Sequence, residues 1–168
     1  MSTNYLEIVE EDGYALEIVP EEFKTYDVCL AAVTNEGYAL RYVPDHFKTE
    51  EMCFTAMQRA GYALSHVPWE KRTPDLCYVA VKESGFALIS IPANVITYEM
   101  CLIAVENNGA ALRWVPSKFR THEIYRHAVK SNPAAIVEVP PEQALDIDEP
   151  ADLVIANAFA ATHFPAET

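Results

Sequence analysis

Residues 49–68 read Thr49-Glu-Glu-Met-Cys-Phe-Thr-Ala-Met-Gln-Arg-Ala-Gly61-Tyr-Ala-Leu-Ser-His-Val-Pro68, and this phrase decides the fold. Thr49 suits a helix N-cap, and Glu50 and Glu51 put negative charge on the first turn, where the helix dipole favours it. Met52, Cys53, Ala56 and Met57 then recur with helical spacing along one face. The pattern predicts a long helix over 50–60, stopped by Gly61 in the left-handed C′ conformation. A shorter helix from Tyr62 to about His66 follows, with Ala63, Leu64 and Val67 inward. Pro68 ends it, because proline lacks an amide donor and biases Val67 out of the helical region.

The phrase is one of a series. All five glycines of the chain, Gly13, Gly37, Gly61, Gly85 and Gly109, stand 24 residues apart. The four cysteines (Cys29, Cys53, Cys77, Cys101) keep the same period, as do the cap threonines Thr25, Thr49, Thr73, Thr97 and Thr121. Ala32, Ala56, Ala80, Ala104 and Ala128 form an all-alanine column that predicts close approach of helices. Self-similarity at this period marks a solenoid stacked from one supersecondary unit. The expected fold is therefore an all-α helical-repeat solenoid of either hand, with Gly37 and its equivalents at positive φ.

A single helical-repeat domain over 1–168 is expected: a half-repeat at 1–12, repeats from Gly13, Gly37, Gly61, Gly85 and Gly109, a degenerate repeat from Pro133, and a C-terminal capping helix at about 150–161. That last apolar segment reads either as a folded-back cap or as a contact surface. A leucine-rich repeat shares the period, but it needs a strand with a recurring asparagine, and no column supplies one.

The phrase Gly-Tyr-Ala-Leu-Arg-Tyr-Val-Pro at 37–44, followed by Lys-Thr-Glu-Glu-Met-Cys at 48–53, resembles a short tandem helical repeat. That family is a domain of unknown function of bacterial and giant-virus proteins. The resemblance spans residues 1 to about 140, implies a stack of helices, and carries no chemistry with it.

The net charge of −13 is unevenly spread, which limits the partners. Residues 1–40 hold nine acids and one base, residues 41–132 nine acids and eleven bases, and residues 133–168 seven acids and no base. Nucleic-acid binding requires the opposite footprint. No apolar run approaches the ~18 residues of a membrane span, and the start lacks a signal peptide's basic and apolar regions, so a soluble cytoplasmic protein is expected. Equivalent cysteines in stacked helices stand ~8–10 Å apart, beyond disulfide reach, so they read as free, buried thiols.

No motif for metal, nucleotide or nucleophilic chemistry occurs. No catalytic residue, metal or cofactor is expected. Lys24, Lys48, Arg72 and Arg120 form a basic column, interrupted by Ile96, which suggests salt bridges to first-turn acids of neighbouring copies. Glu123 and His127 are expected as a solvated helical pair. Tyr14, Tyr38, Tyr62 and Phe86 read as packing over the helix ends, with the connector residues Phe23, Phe47 and Phe119 tucked under the turn.

The informative positions are those that vary inside the fixed frame: Glu17-Ile18, Arg41-Tyr42, Ser65-His66, Ile89-Ser90, Arg113-Trp114 and Val137-Glu138. Arg41, Tyr42, His66, Arg113 and Trp114 have the composition of interface anchors. With the acids Glu10, Glu11 and Asp12, which suit steering of a positive partner, they are the expected partner-binding residues. The expected function is a non-catalytic protein-binding solenoid, an acidic inhibitor or immunity-type protein neutralising a basic or mixed-charge protein. A nucleic-acid mimic blocking a nuclease or defence enzyme, an enzyme with a site on the concave face, and a passive scaffold are the alternatives.

Overall fold

The computed structural model describes residues 4–138 and Pro140, so the capping helix expected at about 150–161 lies outside the described residues. Among the described residues every regular element is helical and no strand occurs, which removes the leucine-rich alternative. Six α-helices run in order: α1 (Tyr5–Glu11), α2 (Tyr26–Asn35), α3 (Glu50–Arg59), α4 (Pro74–Glu83), α5 (Tyr98–Asn107) and α6 (His122–Ser131). A six-residue 3-10 helix follows each: Gly13–Ile18, Gly37–Tyr42, Gly61–His66, Gly85–Ser90, Gly109–Trp114 and Pro133–Glu138. The fold is thus a helical-repeat one, built from a long α-helix, a short 3-10 helix and a proline elbow.

The cap reading holds in all five complete long helices. The hydroxyls of Thr25, Thr49, Thr73, Thr97 and Thr121 accept from the N–H groups of Val28, Met52, Leu76, Met100 and Ile124. Each satisfies one of the orphan donors at a helix start. Pro74 occupies the first turn of α4, where its missing N–H costs nothing.

The glycines act differently from expectation. No described residue, glycine or other, has a positive φ. The residue before each glycine is extended instead, as at Ala60 (φ −152°, ψ 91°), and the glycine opens the 3-10 helix. What demands glycine is contact. A Cβ on Gly13 would lie 2.5 Å from the Ala32 carbonyl oxygen of the next long helix. One on Gly61 would meet the Ala80 carbonyl and stand 2.9 Å from the Ser84 amide. Gly37 and Gly109 are hemmed in likewise by the Ala56 and Ala128 carbonyls. The glycine and alanine columns are therefore two sides of one backbone approach. The amide of Gly13 donates to Asn35 Oδ1 (3.0 Å) and that of Gly109 to Ser131 Oγ (3.2 Å), both on the next long helix.

The chain divides into two compact units, Met1–Val95 and Ile96–Thr168. In the first, α1 packs on α2, α2 on α3 and α3 on α4, while the four 3-10 helices form a second row beside them. In the second, α5 packs on α6 with the Gly109–Trp114 helix against both. Each unit has its own core: in the first, Leu16, Leu40, Leu64 and Leu88 of the short helices and Cys29, Cys53, Cys77, Ala32, Ala56 and Ala80 of the long ones are buried; in the second, Leu112 is buried with Cys101, Ala104 and Ala128.

The basic column pins the rows. Lys48, buried to 6 % exposure, donates from Nζ to the His66 carbonyl of the next short helix (2.9 Å). Arg72 reaches the carbonyls of Val67 (3.0 Å), Ser65 (3.3 Å) and, in the next repeat, Ser90 (2.6 Å). Arg120 holds Val115 and Arg113 in the same manner. The last carbonyls of a helix lack internal partners, and a side-chain cation supplies them. The ion pairs within the column are local, Lys24–Glu21 (3.1 Å) and Lys48–Asp45 (2.9 Å), inside one connector rather than across to first-turn acids of neighbouring copies.

Candidate interaction surface

The cations of the basic column are taken up within the fold, Lys48, Arg72 and Arg120 by carbonyls and Lys24 by Glu21, which leaves the exposed edge of the short-helix row as the candidate surface. In the first unit, three of the expected partner-binding residues meet there. The Arg41 guanidinium lies over the rings of Tyr42 (5.0 Å) and Tyr38 (5.4 Å). Tyr38 in turn touches Tyr62 (centroids 5.1 Å apart) and receives His66 edge-on (4.9 Å). The second residue of the variable pair leans on the preceding repeat at both Tyr42 and His66. Tyr42 binds Glu17, a contact that, after burial, helps hold its hydroxyl above its ordinary pKa. His66 reaches back to Tyr38 in the same way.

His66 is only half-buried, yet its Nε2 is enclosed with no hydrogen-bond partner. Burial, and then the charges of Arg41, Lys48 and Arg72, hold its pKa below the ordinary 6.5. It is a neutral, aromatic element of the edge at physiological pH. In the second unit Arg113 lies over Trp114 (5.7 Å), repeating the arginine–aromatic stack of 41–42. A further stack, Arg72 over Trp69 (5.0 Å), sits on the connector, with Trp69 61 % exposed.

The tyrosine column, expected to pack over helix ends, is more open than that: Tyr14 is 42 % and Tyr62 47 % exposed. The connector phenylalanines are not tucked under the turn. Phe23 is exposed and rests on Tyr5 (5.2 Å), while Phe47 and Phe119 are half-buried edge-on to Tyr26 and Tyr98 (6.3 Å each).

The N-terminal acids separate. Glu10 and Glu11 are exposed at the end of α1, whereas Asp12 Oδ1 accepts from the Tyr14 amide as the cap of the first 3-10 helix. Asp12 thus has a local structural task that the charge count conceals. His127 and Glu123 do not pair along α6. His127 Nδ1 meets Glu106 of α5 (3.0 Å), and Glu123 accepts from the Tyr98 hydroxyl. All four cysteines are free and buried, and burial pushes Cys29, Cys77 and Cys101 up to about 11, far from reactive thiolate.

On the opposite side, neighbouring long helices leave shallow grooves between them. One between α1 and α2 measures about 520 Å³ and is lined by Leu6, Glu10, Asp27, Leu30, Ala31 and Thr34, with Asn35 at its end. Sister grooves lie between α3 and α4 and between α5 and α6. Sequence reading missed them because their walls come from residues about 20 positions apart. Among the described residues no three metal-ligating side chains converge, and no helix is long and apolar enough to cross a membrane.

These features define an all-helical tandem-repeat protein. A family model for a domain of unknown function, DUF4116, matches residues 5–48 and again residues 25–71. Overlapping matches are what a tandem repeat produces. No curated protein and no solved structure matches the chain.

Proposed function

We propose that the chain is a non-catalytic, cytoplasmic protein-binding module, an acidic inhibitor or immunity-type protein of a bacterial or giant-virus system that neutralises a basic or mixed-charge partner. The observation that carries this reading is the stack of Arg41 on Tyr38 and Tyr42, extended by Tyr62 and His66, along the edge of the short-helix row. Tyrosine, tryptophan and arginine dominate binding hot spots because they offer large area with few rotamers to freeze. Stacking on two rings holds Arg41 in one orientation before any partner arrives, which lowers the entropy that binding must offset. Excess acid at residues 1–40, nine acids against one base, favours approach of a positive surface.

The test is affinity capture from source-cell lysate with the intact chain and with two variants. Tyr42→Ala/Trp114→Ala should lose a stoichiometric protein partner that Ile18→Ala retains, Ile18 being exposed at the equivalent position of the same column. Equal capture by all three forms would show that the short-helix edge is merely solvated.

A further inference from the structure

These three grooves, α1–α2, α3–α4 and α5–α6, are built from the same repeat positions, which makes their differences informative. Glu10, Gln58 and Glu106 are equivalent, as are Ala31, Val79 and His127. Where the α3–α4 groove has Lys82 and the α5–α6 groove Lys130, the α1–α2 groove has Thr34. The Thr34 hydroxyl is turned onto its own helix, donating to the Leu30 carbonyl (2.7 Å). In the α5–α6 groove the acid is also answered from within, by the His127–Glu106 pair at 3.0 Å. The α1–α2 groove therefore keeps the acids, Glu10 and Asp27, and a floor of Leu6, Leu30 and Ala31, but has neither the lysine nor the histidine of its sisters. Leu6 is 37 % exposed on that floor.

We infer that the α1–α2 groove is a docking site for a basic segment of a partner protein, taking one lysine or arginine at Glu10 beside Thr34, a second at Asp27 toward the start of α2, and an apolar side chain on Leu6, Leu30 and Ala31 between them. The first cation fills the place that Lys82 and Lys130 fill from within the chain. Charge complementarity selects this occupant, since residues 1–40 carry nine acids and a single base, Lys24, which is held by Glu21. The inference deepens the reading of a basic partner and rests on it, but it names a surface separate from the tyrosine–arginine edge.

The experiment uses the full chain and a fluorescein-labelled synthetic peptide alternating leucine and lysine, followed by anisotropy. Saturable binding is expected, weakened at least ~10-fold when serine replaces leucine in the peptide, the loss expected of a removed hot-spot contact. Thr34→Lys, which installs the sister grooves' own residue, should weaken binding by a similar factor while leaving the melting temperature unchanged. Glu10→Gln/Asp27→Asn should do the same. Glu22→Gln/Glu70→Gln removes equal charge from exposed connectors of the same unit and should leave binding intact. Equal loss in both double variants, undiminished binding by Thr34→Lys, or no saturable binding would overturn the site. Tyr42→Ala should leave peptide affinity unaltered, so the groove and the tyrosine edge stand or fall separately.

Discussion

At the scale of single residues, the glycine column shows how one sequence signal can serve two geometries. A glycine after a ten-residue helix fits a left-handed C′ cap, and it fits equally a backbone approach that excludes a Cβ. The absence of positive φ among the described residues and the nearby Ala80 carbonyl decide for the second at Gly61. Gly61→Ala should cost about 1–3 kcal/mol through overpacking against rigid backbone. Gly61→Asn discriminates the two geometries: a left-handed cap tolerates asparagine, whereas a crowded approach makes it at least as costly as alanine. Thermal melts of the pair would reverse the assignment if asparagine proved the milder change. His66 gives a second prediction at this scale. Unfolded, its imidazole takes a proton near pH 6.5; folded, it does so only at lower pH. Stability is therefore intact above pH 6.5 and declines as pH falls from there toward the depressed folded value. His66→Phe keeps a ring against Tyr38 and should show a smaller loss of melting temperature between about pH 7.5 and about pH 5. Identical losses would show that His66 titrates normally.

At the scale of elements, each repeat is a long helix fastened to a short one and then to its neighbour. Arg72 makes that fastening through three carbonyls, two in its own repeat and one in the next. Arg72→Met should cost about 1.5–3 kcal/mol, the scale of hydrogen bonds to a charged group. Arg72→Lys should cost less, because Lys48 shows that one ammonium can hold the corresponding next-repeat carbonyl. Equal costs in chemical denaturation would mean that only the aliphatic stem matters. The cysteines belong at this scale too, one per long helix from α2 to α5. With three thiols raised to about 11, titration near pH 8 should find almost none reactive in the folded chain and four equivalents after denaturation. Much of this was legible in the sequence because columns repeat: a threonine that recurs five times before acidic turns has one common explanation. The 3-10 character of the short helices was not, since six residues hold too few positions to separate two helical periods. The tyrosine edge was half-legible. Arg41, Tyr42 and His66 stand out by varying, while Tyr38 and Tyr62, which recur with the period, read as packing. The grooves were invisible, as they exist only once α1 and α2 stand side by side.

At the scale of the whole molecule, charge and anchors should act on different halves of a binding reaction. Remote charge changes how often partners meet, while buried anchors change how long they stay. The acids at the end of α1 are suited to the first task, and the structure refines which of them to use. Asp12 caps a helix through its side chain, so reversing it would confound steering with stability. Glu10 and Glu11 are exposed, but Glu10 also lines the α1–α2 groove, which leaves Glu11 and Glu7 as clean probes of steering. Glu7→Lys/Glu11→Lys should slow association with a purified basic partner several-fold at low salt, flatten its salt dependence, and leave dissociation unchanged. Tyr42→Ala or Trp114→Ala should instead speed dissociation, costing about 2 kcal/mol where the residue is an anchor, with association within about twofold. Stopped-flow measurement across a salt series separates the two. If lysine at 7 and 11 altered only dissociation, these acids would be contacts rather than steering charges. If alanine at 42 and 114 altered neither rate, the arginine–aromatic stacks would serve the fold alone, and binding would fall to the groove between the long helices.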